Sequence, residues 1–126
     1  MKKIKICVLG GGSWGVNHII TLQSLNIDVS CVDTNPKQIE KIKLRFKNVE
    51  CFLSIEESFK EEFSGYIVAT PASTHAELAK KVICIKKPVL VEKPLSLSLS
   101  ESKKIKSYLK KYDGQLIVGH SLLFHP

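Results

Sequence analysis

KICVLGGGSWGVNHII, residues 5–20, passes from a β-branched apolar run through a glycine-rich turn into an amphipathic stretch. Read as strand, turn and helix, it opens an α/β unit, and Gly10, Gly12 and Gly15 occupy the three fixed positions of G-x-G-x-x-G. Gly10 permits the tight bend, Gly12 lets a backbone approach a pyrophosphate, and Gly15 lets the helix pack closely on the strand. The helix start then offers N–H groups and a positive dipole end to phosphates. Downstream, VSCVD ends in Asp33. A carboxylate there accepts hydrogen bonds from both ribose hydroxyls of an adenosine and repels a 2′-phosphate, which favours NAD over NADP. A glycine-rich turn of this kind also occurs in other nucleoside-using α/β enzymes such as methyltransferases, an alternative that predicts S-adenosylmethionine instead.

The strand-then-helix alternation continues along the chain. Apolar runs predict strands at Lys5 to Leu9, Asp28 to Asp33, Glu50 to Phe52, Gly65 to Thr70, Pro88 to Glu92 and Gln115 to Gly119. Most are continuous rather than alternating, as in strands covered on both faces. The expected fold is a Rossmann-type doubly wound, mostly parallel six-stranded sheet with helices on both faces. A helix from about Trp14 to Leu25 sets Val16, Ile19, Ile20 and Leu25 near one side, and a second begins at Pro36 and repeats Ile39, Ile42 and Phe46. Three S/T-x-x-E sequences, Ser54 with Glu57, Thr74 with Glu77 and Ser98 with Glu101, read as capping boxes, so their glutamates are caps rather than catalysts. LSLSLSES, residues 95–102, reads as a loop leading into a helix.

At 126 residues the chain is one domain, and it contains no apolar run of the ~20 residues a bilayer requires. Nineteen basic against twelve acidic residues give +7, but Arg45 is the only arginine. Nucleic-acid reading favours the bidentate guanidinium, so the charge reads as a solvated surface with weak attraction for phosphorylated anions, and neither nucleic acid nor membrane is an expected partner. Cys7, Cys31, Cys51 and Cys84 form no C-x-x-C and no zinc spacing, which fits a reducing cytoplasm. Glycines break the first apolar run almost at once, against a signal peptide.

Two further segments fall at the carboxyl ends of strands, where doubly wound sheets bind ligands: VATP, ending in Thr70 and Pro71, and VLVEKP, ending in Glu92, Lys93 and Pro94. A lysine beside an oxidised nicotinamide feels the ring's positive charge and becomes a proton acceptor for a substrate hydroxyl. GGGSWG, VDTNP, ATPASTHAELA and VLVEKPLS, in this order and spacing, resemble the amino-terminal domain of the glucose-fructose oxidoreductase / inositol dehydrogenase (Gfo/Idh/MocA) family over essentially the whole chain.

The resemblance implies an NAD(P)-dependent oxidoreductase that transfers a hydride between a nicotinamide cofactor and a sugar, nucleotide-sugar or cyclitol hydroxyl. It places Gly10, Gly12, Ser13, Trp14 and Gly15 along the pyrophosphate and adenosine side, Asp33 on the adenine ribose, and Thr70, Pro71 and His75 at the middle of the cofactor. Lys93 becomes the catalytic lysine near the nicotinamide, with Glu92 beside it and a cis Lys93–Pro94 bond. VGHSLLFHP, residues 118–126, resembles the family's hinge, so residues 1–119 form the dinucleotide-binding domain and 120–126 start the path to a second, substrate-holding and oligomerising domain absent from this chain. Leu123 stands where many relatives carry arginine. His120 and His125 lack ligand partners at metal spacing, and His18 reads as a helix-packing or cap residue. The expectations are cofactor binding without efficient turnover, and a homo-oligomer or partner chain covering the apolar stretch from Leu116 to Phe124. A non-catalytic nucleotide-binding or sensing module is the alternative, in which Lys93 is dispensable.

Overall fold

The computed structural model describes residues 3–119; His120, Leu123, Phe124 and His125 lie outside the described residues. Six strands, β1 (Lys5–Leu9), β2 (Asp28–Val32), β3 (Glu50–Phe52), β4 (Gly65–Val68), β5 (Val89–Glu92) and β6 (Leu116–Gly119), form one sheet in the order β3-β2-β1-β4-β5-β6. Every pairing is parallel. The helices are α1 (Ser13–Ser24), α2 (Pro36–Arg45), α3 (Ile55–Ser58), α4 (His75–Cys84) and α5 (Leu99–Tyr112). This is the doubly wound Rossmann-type sheet that the strand–helix alternation predicts. β2 and β4 end earlier than expected, at Val32 and Val68, which leaves Asp33 and Thr70 in loops beyond the sheet's carboxyl edge.

Each face of the sheet buries its own core. On one, Leu9, Phe63, Tyr66, Val68 and Val91 meet Val82 and Ile83 of α4 and Ile105 of α5. On the other, Val8, Val29, Cys31 and Ile67 meet Ile19 of α1 and Ile42 of α2. Each fully buried branched side chain contributes roughly 1.5–3 kcal/mol over its exposed state. All four cysteines are free; burial pushes the Cys31 thiol up to about 12 and raises Cys7 as well, so both stay protonated and act as apolar packing. No helix among the described residues is long and apolar enough to cross a membrane.

Two of the three capping boxes form. Ser54 accepts from the Glu57 N–H at 3.2 Å and Ser98 from the Glu101 N–H at 3.1 Å, while the glutamates reach back to the N–H groups of Leu53 and Leu97. Thr74 with Glu77 does not. The Thr74 hydroxyl is 2.6 Å from that of Thr70 and donates to the Pro71 carbonyl, because a short 3₁₀ turn (Ala72–Thr74) precedes α4 and turns the side chain back. At their other ends α1 and α4 close with paired bonds, Ile27 to Leu22 and Asn26 to Gln23, Lys87 to Val82 and Lys86 to Ile83. These hold Asn26 and Lys86 left-handed, both at φ 59°. Lysine resists that conformation, so Lys86→Gly is expected to stabilise the fold by about 1 kcal/mol in urea unfolding; an unchanged or lower midpoint would refute it.

Candidate active site

The strand order reverses between β1 and β4, so the loops leaving these strands diverge and open a crevice at the carboxyl edge of the sheet. It measures about 800 Å³, with the glycine turn, Asp33 and Thr70 among its walls. Gly10 sits at φ 105°, and a Cβ there would lie 2.6 Å from the Ala69 carbonyl oxygen of the neighbouring strand's exit. At Gly15 a Cβ would stand 1.8 Å from the Gly10 carbonyl oxygen, so only glycine lets α1 begin against the turn. Gly12 is different: a Cβ would meet nothing within 4 Å, because the residue faces the open crevice. A side chain at that point would fill the cradle a pyrophosphate needs.

Helix α1 has no side-chain cap and no acidic residue in its first turn, whereas Asn35, Ser54 and Ser98 cap α2, α3 and α5. Its first N–H groups therefore remain available to an anion, and these residues fit a dinucleotide's diphosphate. Asp33 sits beside them. Its Oδ2 accepts from the Gly11 N–H and its Oδ1 from the Asn35 N–H, both at 2.8 Å. Two fixed donors aim the carboxylate, and each oxygen keeps a lone pair for a ribose hydroxyl. At the far end, Lys81 of α4 meets Glu56 of α3 at 2.8 Å and holds that carboxyl below its usual range.

A smaller hollow of about 110 Å³ adjoins the crevice, and Trp14, Thr70, His75, Glu92 and Lys93 are among its walls. Trp14, 59% exposed, lines both cavities. Lys93 is exposed at the end of β5, and the Lys93–Pro94 peptide is cis. Pro71 is exposed at the crevice and starts the 3₁₀ turn. His75 is buried to 2% exposure; its Nε2 lies 2.7 Å from the Thr70 carbonyl and its Nδ1 2.7 Å from the Pro94 carbonyl. The ring thus joins the exits of β4 and β5. A neutral imidazole donates to one of these carbonyls at a time, and the doubly protonated ring donates to both.

The sequence-predicted residues therefore gather along one edge, Gly10, Gly12, Ser13, Trp14, Asp33, Thr70 and Pro71 on the crevice, Gly15 buried behind the turn, and His75, Glu92 and Lys93 at the hollow. His18 was not among them. Its Nε2 is 2.6 Å from Oε1 of Glu92, a partner 74 residues away in sequence. The signal was its spacing, one helical turn beyond Trp14 on α1, which sets it toward the same edge.

The family model described as "Oxidoreductase family, NAD-binding Rossmann fold" matches residues 4–120. The chain is 22% identical over 128 residues to the rhizopine catabolism protein MocA of Rhizobium meliloti, covering 100% of this chain and 40% of that protein. It is 29% identical over 134 residues to scyllo-inositol 2-dehydrogenase (NAD(+)) of Bacillus subtilis (strain 168), covering 98% of this chain and 37% of that one. Among solved structures, GenD2 from gentamicin A biosynthesis, in complex with NAD, superposes with a TM-score of 0.82 at 28% identity, over 94% of this chain and 35% of its own. The chain spans well under half the length of each of these relatives. A match that runs from the residue before β1 to the residue after β6 leaves no part of the sheet outside it, and the chain belongs to the Gfo/Idh/MocA oxidoreductase family, whose NAD-binding Rossmann domain it carries.

Proposed function

We propose that this domain binds NAD in preference to NADP and presents it for hydride exchange with the hydroxyl of a cyclitol, sugar or nucleotide-sugar. The aimed Asp33 carboxylate is the observation that carries the preference, since a 2′-phosphate would meet its negative charge at the crevice wall. The open cradle at Gly12 and the uncapped start of α1 support the diphosphate site. The substrate class follows the named relatives, which include an inositol dehydrogenase.

When bound, the nicotinamide accepts or returns the hydride. Lys93 takes the proton of the substrate hydroxyl on its Nζ as the carbon–oxygen double bond forms, and gives it back in the reverse direction. Trp14 and Thr70 wall the hollow beside Lys93, and His75 fixes the loops on either side. Lys93 is exposed at the carboxyl end of β5, and Ile117 on the edge strand β6 is 63% exposed, so both the reacting end and the adjoining sheet edge stand open. Turnover then waits on a substrate-holding surface from a further domain, a second copy or a partner chain. Four free thiols, two of them buried, agree with a cytoplasmic setting.

Calorimetric titration with NADH and NADPH tests the reading. NADH should bind the more tightly, Asp33→Ala should weaken it by about tenfold, the loss of one charged hydrogen-bonding group, and Lys93→Ala should largely spare it. Equal affinity for both dinucleotides would end the NAD preference, and no binding to either would end the cofactor reading.

A further inference from the structure

We propose that His18 is a positioning residue for Lys93, holding the Glu92 carboxylate on helix α1 and so keeping it off the lysine beside it. The proposal rests on the cofactor reading of the same crevice. Lysine–carboxylate pairs elsewhere in the described residues each have a partner at least 41% exposed, as expected of surface pairs worth little. His18 and Glu92 are different, with side chains only 22% and 18% exposed and 2.6 Å apart. An ionised carboxylate only accepts, so Nε2 of His18 carries the hydrogen. The second oxygen of Glu92 lies beside Gly119, where a Cβ would stand only 3.2 Å away, so the glycine leaves room for the carboxylate. The carboxylate thus lies between α1 and the end of β6, held on the α1 side by His18.

The placement gives this contact a purpose. Glu92 and Lys93 are consecutive, oppositely charged, and both line the hollow beside Trp14. A carboxylate released there is drawn to the neighbouring ammonium, which pins the lysine and keeps its proton in place. A lysine held that way is a poor acceptor for a substrate hydroxyl. His18 supplies the competing donor, and because it lies one turn beyond Trp14, the helix that starts at the diphosphate cradle also sets the end of β5.

Three forms of the chain test this: wild type, His18→Leu, which fills the space without a donor, and His18→Gln, which restores an N–H. ADP, read by calorimetric titration, probes the adenosine half alone, and NADH, read by energy transfer from the single tryptophan, Trp14, to the reduced nicotinamide, probes both halves. His18→Leu should bind ADP and NADH each within about twofold of wild type, because even removal of the Lys93 side chain is expected to largely spare binding, and His18→Gln should match wild type in both ligand binding and Lys93 reactivity. Acylation of Lys93 by an amine reagent, followed by mass spectrometry on the ligand-free chain, should slow about threefold in His18→Leu and recover when Glu92→Gln is added. Unchanged Lys93 reactivity in His18→Leu overturns the proposal, as does an equal loss of ADP and NADH. A wild type that binds neither ligand overturns the cofactor reading instead, and the lysine reactivity still decides the role of His18.

Discussion

Gly15→Ala is expected to cost the domain about 3 kcal/mol or more, enough to remove much of the stability of a typical domain of this size. The methyl carbon would stand 1.8 Å from the Gly10 carbonyl oxygen, and both groups are backbone. A flexible side chain could swing aside; here either the glycine turn or the whole of α1 has to move. Moving α1 lifts Ile19 off Val8 and Cys31, which is the core of that face. Moving the turn breaks the bond from the Gly10 N–H to the Val32 carbonyl at 2.7 Å, and with it the approach of β1 to β2. Denaturant unfolding followed by circular dichroism should show a midpoint far below wild type, with NADH affinity lost in parallel. A variant with a native midpoint would show that the turn has slack the geometry denies.

His75→Leu is expected to lose roughly 1–3 kcal/mol, although it keeps nearly the same apolar volume in the core. Whichever of the Thr70 and Pro94 carbonyls the ring's N–H serves would lose its donor, and an acceptor left without one in this part-buried setting costs about 1–3 kcal/mol. The comparison with His75→Gln separates hydrogen bonding from packing. Glutamine offers an amide donor and should recover part of the loss; if leucine proves as stable as histidine, the two 2.7 Å contacts contribute nothing net. Because the ring ties the exits of β4 and β5, the leucine variant should also loosen the hollow around Lys93, read as weaker NADH binding with ADP binding spared.

The fold was legible because its determinants are local. Runs such as residues 65–68 and 89–92 carry their strand signal in four residues, and Ser54 and Ser98 find their capping partners three positions on. Thr74 carries the same local signal and fails it, since the turn at Pro71 offers its hydroxyl a nearer acceptor. The glycine turn and Asp33 were legible too, but not that Asp33 already serves the Gly11 N–H. The histidines were the least legible. His75 bonds to two backbone carbonyls, which have no sequence identity to recognise, and His18 meets a glutamate 74 residues away whose position depends on the whole sheet being assembled.

The two bonds on Asp33 also bear on redesign. On the proposed preference, converting such a domain to a phosphorylated coenzyme would mean erasing the acidic side chain after β2 and introducing a cation nearby. Here that exchange would also cut the tether of the Gly11 and Asn35 amides, so poor acceptance of the new coenzyme would reflect a slackened loop as much as a missing charge. A successful swap keeps a neutral acceptor at position 33, such as asparagine, and places the cation at the exposed Thr34. The preference and the shape of the loop would then be adjusted separately, which a single substitution cannot achieve.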